Sequence, residues 1–161
     1  TAERALADGT LYVDEVNGHI LGCANLNHVQ PPEYGSISWT TQAKPKQVLV
    51  IHTLCIRPEC AGGGRGRRFV AFAEGLATGQ GCRVIRLDTY EGNAPAAAFY
   101  PKLGYRLAGS AEFFFEGFAR ENLICFEKEL RGGAARPAVS RRPGTAAPAT
   151  PSTASASAET P

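Results

Sequence analysis

From Thr10 to Leu26 the chain carries a period-two pattern broken by one tight turn. Residues 1–8 read as the end of a helix. From Thr10 to Glu15, Leu11 and Val13 alternate with Thr10 and Asp14, as in a half-buried strand. Asn17-Gly18 then marks a hairpin, because both residue types accept positive φ, and His19 to Leu26 is the return strand. Residues 27–46 contain Pro31-Pro32, Gly35 and Pro45 and predict a long loop, with Trp39 as its anchor.

The pattern then becomes continuous. Gln47 to Ile56 includes Val-Leu-Val-Ile-His-Thr-Leu-Cys-Ile, a short β-branched run that predicts a central buried strand ended by Pro58. A glycine-rich turn, Gly62-Gly63-Gly64-Arg65-Gly66, leads into a helix predicted over Arg67 to Thr78. Phe69, Phe72, Ala73 and Leu76 form its apolar face, and Gly79 and Gly81 stop it. Arg83 to Thr89 is another strand. Strand, helix and strand make a βαβ unit, so these two strands should be parallel. Asn93 to Leu103 predicts a short Ala-rich helix, with Pro95 tolerated in its first turn. Tyr105 to Leu107 and Asn122 to Leu130 close an α/β fold with a mixed sheet. From Arg131 to Pro161 the chain is Ala, Pro, Ser, Thr and Gly with almost no large apolar residue, so residues 131–161 are expected to be a disordered tail behind one domain over 1–130.

Composition narrows the function. The 161 residues, 43% of them apolar, suffice for one core. The net charge of +2 is uneven: four Arg and Glu159 lie beyond residue 130, which leaves 13 basic and 14 acidic side chains before it. A near-neutral folded part gives no reason to expect a nucleic-acid partner. Cys23, Cys55, Cys60, Cys82 and Cys125 are odd in number and show no CxxC spacing, so neither a disulfide framework nor a zinc site is expected. No apolar run has membrane-spanning length, and free thiols suit a reducing cytosol, so a cytoplasmic protein without a membrane partner is expected.

The chemistry concentrates where the buried strand feeds the glycine-rich turn. Such a turn presents several main-chain N–H groups at the positive end of a helix dipole, an anion site suited to phosphate. A plain flexible loop is the alternative. A phosphate loop of the Gly-Lys-Ser/Thr kind is excluded by Arg67-Arg68 after Gly66, and a GxGxxG fingerprint would need glycine where Arg67 stands. An RNA-binding Gly/Arg segment is weak, because no aromatic residues interleave.

Leu54-Cys55-Ile56-Arg57-Pro58 with Gly62-Gly63-Gly64-Arg65-Gly66-Arg67 resembles the acetyl-CoA-binding strand, loop and helix of the GNAT acetyltransferase superfamily. Leu87-Asp88-Thr89-Tyr90, Asn93, Ala96, Phe99-Tyr100, Lys102 and Gly104-Tyr105 resemble its second segment, and the likeness extends over Thr10 to Leu130. It implies a mostly antiparallel sheet with one parallel, splayed strand pair. It also implies acetyl transfer from acetyl-CoA, as co-substrate and without a metal, to a primary amine on a small molecule or protein. A homodimer is open. The alternative is an acyl-CoA-binding regulatory module with little turnover.

The resemblance also assigns roles. The Leu54 N–H would polarise the acetyl carbonyl, and Ile56 would pair with the pantetheine arm, with Cys55 between them. Gly62, Gly63, Gly64, Arg65, Gly66 and Arg67 would meet the pyrophosphate, with Asn93 and Lys102 as further cofactor contacts. Tyr100 would protonate the leaving thiolate; core packing beside Phe99 is its other reading, as a helix cap is for Asn93. His52 is a candidate base for the amine, as in the arylalkylamine acetyltransferases of the superfamily. Strand alternation puts it on the same face as Leu54, and an ordinary core histidine is its other reading. Asp88 and Glu91 are alternative bases, and the Cys55 and Cys60 thiols read as packing. Three positions depart from the family pattern: Ala61, Gly63 and Arg65. The acceptor-side elements that precede the hairpin in family members are expected to be mostly missing.

Overall fold

A computed structural model of the chain describes residues 2–114 and 120–130. The tail expected over residues 131–161 lies outside the described residues.

A helical turn, α1 (Ala2–Ala7), leads into the hairpin of β1 (Leu11–Val16) and β2 (His19–Asn27). Asn17 and Gly18 both adopt positive φ, 52° and 79°, as the turn signal requires. The loop after β2 carries short 3₁₀ turns at Pro32–Ser36 and Pro45–Gln47 and feeds β3 (Val48–Ile56). Helix α2 (Arg65–Gly79), β4 (Val84–Tyr90), the short α3 (Ala94–Phe99), β5 (Arg106–Phe114) and β6 (Arg120–Glu129) follow. The strands form a single sheet in the order β1-β2-β3-β4-β6-β5, antiparallel except for β3 and β4.

The expected parallel pair is present and it splays. Val48 to Ile51 pair with Val84 to Leu87, and there the pairing stops. Beyond it β3 continues against β2 alone and β4 against β6 alone. The burial of β3 follows: its first four residues are fully buried, and the rest alternate.

Each face of the sheet has its own core. On one face Leu49, Ile51, Ile85 and Leu87 pack with Phe69, Val70, Ala73 and Ala77 of α2. On the other, Val48, Val50, Val84 and Cys125 pack with Tyr34 and Ile37 of the long loop. That loop is pinned by polar contacts. Trp39 donates its indole N–H to the Tyr34 carbonyl at 2.9 Å and lies under the Arg86 guanidinium at 4.3 Å. Glu127, 1% exposed, accepts from the main-chain N–H groups of Thr40 and Thr41 and from Arg106. Trp39 thus anchors the loop as expected.

Four element predictions shift, among them the strand expected over Tyr105 to Leu107, which runs from Arg106 to Phe114. Helix α2 begins at Arg65, so Arg65 and Gly66 belong to its first turn. Phe72, placed on its apolar face, is 46% exposed and touches Tyr12, because the helix turns Val70 and Ala77 inward instead. The helix expected over 93–103 breaks after Phe99, where Pro101 cannot continue it, and a 3₁₀ turn takes over. Among the described residues no helix is long and apolar enough to cross a membrane.

Candidate active site

The splay between β3 and β4 opens a cleft of about 500 Å³. Leu54 and Ile56 form one wall, the turn from Cys60 to Arg67 forms the end, and Asn93, Pro95, Ala96, Phe99 and Tyr100 form the other wall. The two segments picked out by sequence therefore meet across it.

Register decides which β3 groups face the cleft. Arg57 donates its N–H to the Leu21 carbonyl at 2.9 Å. In an antiparallel ladder hydrogen-bonded residues alternate, so Arg57, Cys55 and Thr53 direct their main-chain groups toward β2. Those of Leu54 and Ile56 point to the opposite edge, which has no strand partner beyond Ile51. An extended ligand arm has two donors and two acceptors there to pair with, as a strand would.

The turn end of the cleft is shaped by two glycines in the left-handed region, Gly62 at φ 80° and Gly64 at φ 75°, and Gly64 caps α2. Nothing lies within 4 Å of where a Cβ would stand on either, so their requirement is conformational and their surface is open to a ligand. Gly66 differs, because a Cβ there would stand 3.3 Å from the Phe99 ring. It is the contact that lets α2 approach α3. Arg65 lines the cleft but is held by Asp14 of β1, Nη1 to Oδ2 at 2.6 Å. Arg67 is exposed at the mouth. The residues present thus fit a phosphate-bearing thioester: an open strand edge, an apolar wall and a glycine-rich turn at a helix start with the exposed Arg67 beside it.

Asn93 caps α3, its Oδ1 accepting from Ala96 N–H at 3.2 Å, and also lines the cleft. Lys102 is exposed on the 3₁₀ turn, and Lys102, Gly63 and Cys55 are not among the residues lining the cleft; Cys55 lies between Leu54 and Ile56 and strand alternation turns it to the other face. Tyr100 is 7% exposed, in edge contact with Phe99 and Tyr105. Burial first, then the Asp88 carboxylate and the Cys55 thiol, push its phenol up to about 12, so it holds its proton throughout the neutral range.

His52 is placed differently from the alternation argument. The β2–β3 register runs Asn25 to Thr53 and then Leu26 to Ile51, so His52 is the extra residue of a β-bulge. The bulge returns Leu54 and Ile56 to the α2 face beside Ile51, while His52 turns to the far face, where its Nε2 lies 2.8 Å from Asn27 Oδ1. The Asn27 amide donates to Asn25 Oδ1, which fixes its oxygen as the acceptor. Burial lowers the His52 pKa and so favours the neutral ring, and a main-chain hydrogen bond with Val29 partly offsets this.

Asp88 accepts from the Tyr34 hydroxyl at 2.7 Å, and burial raises its carboxyl above the usual range. Tyr34 and Asn27 were not singled out by sequence: each acts on a partner 25 or more positions away, and no local pattern announces them. Glu91 is exposed in a separate hollow with Glu112, Arg120 and Glu121. Among the described residues no cluster of three or more metal-ligating side chains occurs.

Known structures share the fold. A Staphylococcus aureus Mu50 protein assigned as an acetyltransferase superposes with TM-score 0.64 at 24% identity, covering 81% of this chain and 78% of that one. A Salmonella typhimurium protein solved with its cofactor acetyl-CoA gives TM-score 0.58 at 18% identity, with 80% and 69% covered. The ribosomal-protein-S18-alanine N-acetyltransferase of Escherichia coli gives 0.61 at 16%, with 86% and 83% covered. No curated protein matches the sequence significantly. The family model for the acetyltransferase (GNAT) family matches residues 2–105, and with the splayed pair and its glycine turn in place, the chain belongs to the GNAT acetyltransferase family.

Proposed function

We propose that the chain transfers the acetyl group of acetyl-CoA directly to a primary amine. The observation that carries this reading is the open β3 edge at Leu54 and Ile56, set between a glycine-rich helix start and a protonated Tyr100. The reaction joins the amine nitrogen to the acetyl carbon, breaks the carbon–sulfur bond, and needs one proton taken from nitrogen and one given to sulfur.

Each demand has a group in place. The Leu54 N–H stabilises charge on the carbonyl oxygen, a contribution that grows as the tetrahedral centre forms. The Ile56 main chain aligns the arm, and the turn from Gly62 to Arg67 holds the phosphates. Tyr100 supplies the proton to sulfur. The amine approaches from the face that carries His52 and Asp88, and His52 takes its proton, directly or through water. The acceptor is an amine on a small molecule or a protein.

The test is release of free thiol from acetyl-CoA with a panel of primary amines, beside calorimetric measurement of acetyl-CoA binding. Amine-dependent thiol release supports the reading. Binding without turnover on any amine supports an acyl-CoA-binding module instead.

A further inference from the structure

Cys23 and Cys55 face each other directly across the β2–β3 ladder. By the register of Arg57 with Leu21 they occupy a hydrogen-bonded pair, with Cα atoms about 5.5 Å apart in such pairs. That lies within the span a disulfide bridges. Both thiols are free, Cys55 exposed and Cys23 half-buried. Burial first, then the neighbouring Cys55 thiol, push the Cys23 thiol up. They sit on the face away from α2, because their neighbours Ala24 and Leu54 pack on the α2 side.

This position is coupled to the cleft. Cys55 stands between Leu54 and Ile56, and it is near enough to Tyr100 to raise its phenol. The strands are already at close approach beside the pair: a Cβ on Gly22 would stand 2.6 Å from Ile56 Cδ1 and 2.8 Å from the Cys55 carbonyl oxygen. Cys55 therefore cannot move toward β2 without moving Ile56.

We propose that Cys23 and Cys55 form a reversible dithiol–disulfide couple that small aliphatic disulfides oxidise, and that oxidation weakens the acetyl-CoA cleft. The Cys55 thiolate attacks one sulfur of the small disulfide and expels one small thiolate, leaving a mixed disulfide on Cys55. The Cys23 thiolate then attacks the Cys55 sulfur and expels the second. The two protein thiols lose two electrons and two protons, and one small disulfide becomes two small thiols. Closing the bond draws the two Cβ atoms to about 3.8 Å, shorter than the cross-strand spacing of the pair. The β3 edge at Leu54 and Ile56 shifts with it.

The gating half rests on the proposed acetyl-CoA reading, so the experiment reads the bond and the affinity separately. The full chain is treated with excess oxidised glutathione, peptide-mapped without reduction, and titrated with acetyl-CoA before and after dithiothreitol. The expected result is a Cys23–Cys55 linkage, an acetyl-CoA Kd raised at least tenfold (~1.4 kcal/mol), and recovery on reduction. Cys23→Ser should bind acetyl-CoA normally when reduced and stop at a glutathione adduct on Cys55. Absence of the linkage, or a linkage that leaves Kd unchanged, overturns the proposal. A reduced chain that binds no acetyl-CoA sinks the functional reading and the gating with it, while the mapped linkage still decides the couple.

Discussion

His52 and Leu54, two residues apart on β3, face opposite sides of the sheet. The bulge at His52 separates them, so the histidine stands on the face away from α2 while Leu54 lines the cleft beside α3. The proposed base and the proposed carbonyl-polarising N–H therefore meet the splay from opposite sides.

The first prediction concerns pH. Because burial lowers the His52 pKa below the ordinary imidazole value, the ring is neutral over most of the neutral range. If it takes the amine proton, kcat/KM rises with pH through a limb that lies below ~6.5. His52→Gln keeps a partner for Asn27 and should abolish that limb while leaving acetyl-CoA affinity intact. A variant with the parent rate at every pH retires His52 as base.

Tyr100 gives the second. Tyr100→Phe keeps the ring against Phe99 and Tyr105 but deletes the proton donor. Turnover should fall ~10²-fold or more, with thermal stability nearly unchanged. With a phenol near 12, the parent enzyme should show no alkaline loss from Tyr100 at ordinary assay pH. Parent turnover in the variant reduces Tyr100 to a packing residue.

The glycine turn separates into two roles. Gly64 sits at φ 75°, where a non-glycine residue costs ~1–2 kcal/mol and a β-branched one more. Gly64→Val should distort the start of α2 and weaken acetyl-CoA binding at least tenfold. Gly66→Val should act differently, by pushing against Phe99 and loosening α2 from α3, so its main effect is a lowered Tm. Equal affinity in Gly64→Val and the parent, with the fold intact, would show that this turn holds no phosphate.

Much of this was readable because it is local. The apolar run at Val48 to Ile51, the Asn17-Gly18 turn and the glycines before α2 each state their geometry within a few residues. The side of the sheet taken by His52 was not readable. Counting by twos assumes an unbroken ladder, and one extra residue in β3 reverses every later position without changing composition. The Arg65 partner was hidden for another reason: Asp14 lies 51 positions away, and only the folded sheet brings β1 beside the start of α2. Phe72 fits the helical period yet lies outside, because α2 rests on the sheet through Val70 and Ala77.

Glu127 gives a stability prediction. Its carboxylate is buried and holds Thr40, Thr41 and Arg106, and through them the loop that covers one face of the sheet. Glu127→Ala leaves two main-chain donors and a guanidinium without their acceptor. Removing one member of a buried charged network costs ~3 kcal/mol, enough to lower Tm by several degrees in chemical or thermal unfolding. A shift smaller than one degree would mean that the loop docks through Tyr34 and Trp39 alone.

The last prediction weighs the two arginines of the turn. Arg65 is already engaged by Asp14 at 2.6 Å with both side chains largely covered, so its charge is partly spent before any ligand arrives. Arg67 lines the cleft mouth, exposed and among the described residues without an ion-pair partner. A charged hydrogen bond to phosphate is worth ~1.5–3 kcal/mol, and that contribution falls with ionic strength. Arg67→Ala should therefore raise the acetyl-CoA Kd tenfold or more and flatten its salt dependence. Arg65→Ala should cost less affinity and show instead a small loss of stability from the broken tie between β1 and α2. Asp14→Asn discriminates further: it releases Arg65 and should tighten acetyl-CoA at low salt. If Arg65→Ala proves the more damaging to affinity, the Asp14 pair positions the phosphate contact rather than competing with it.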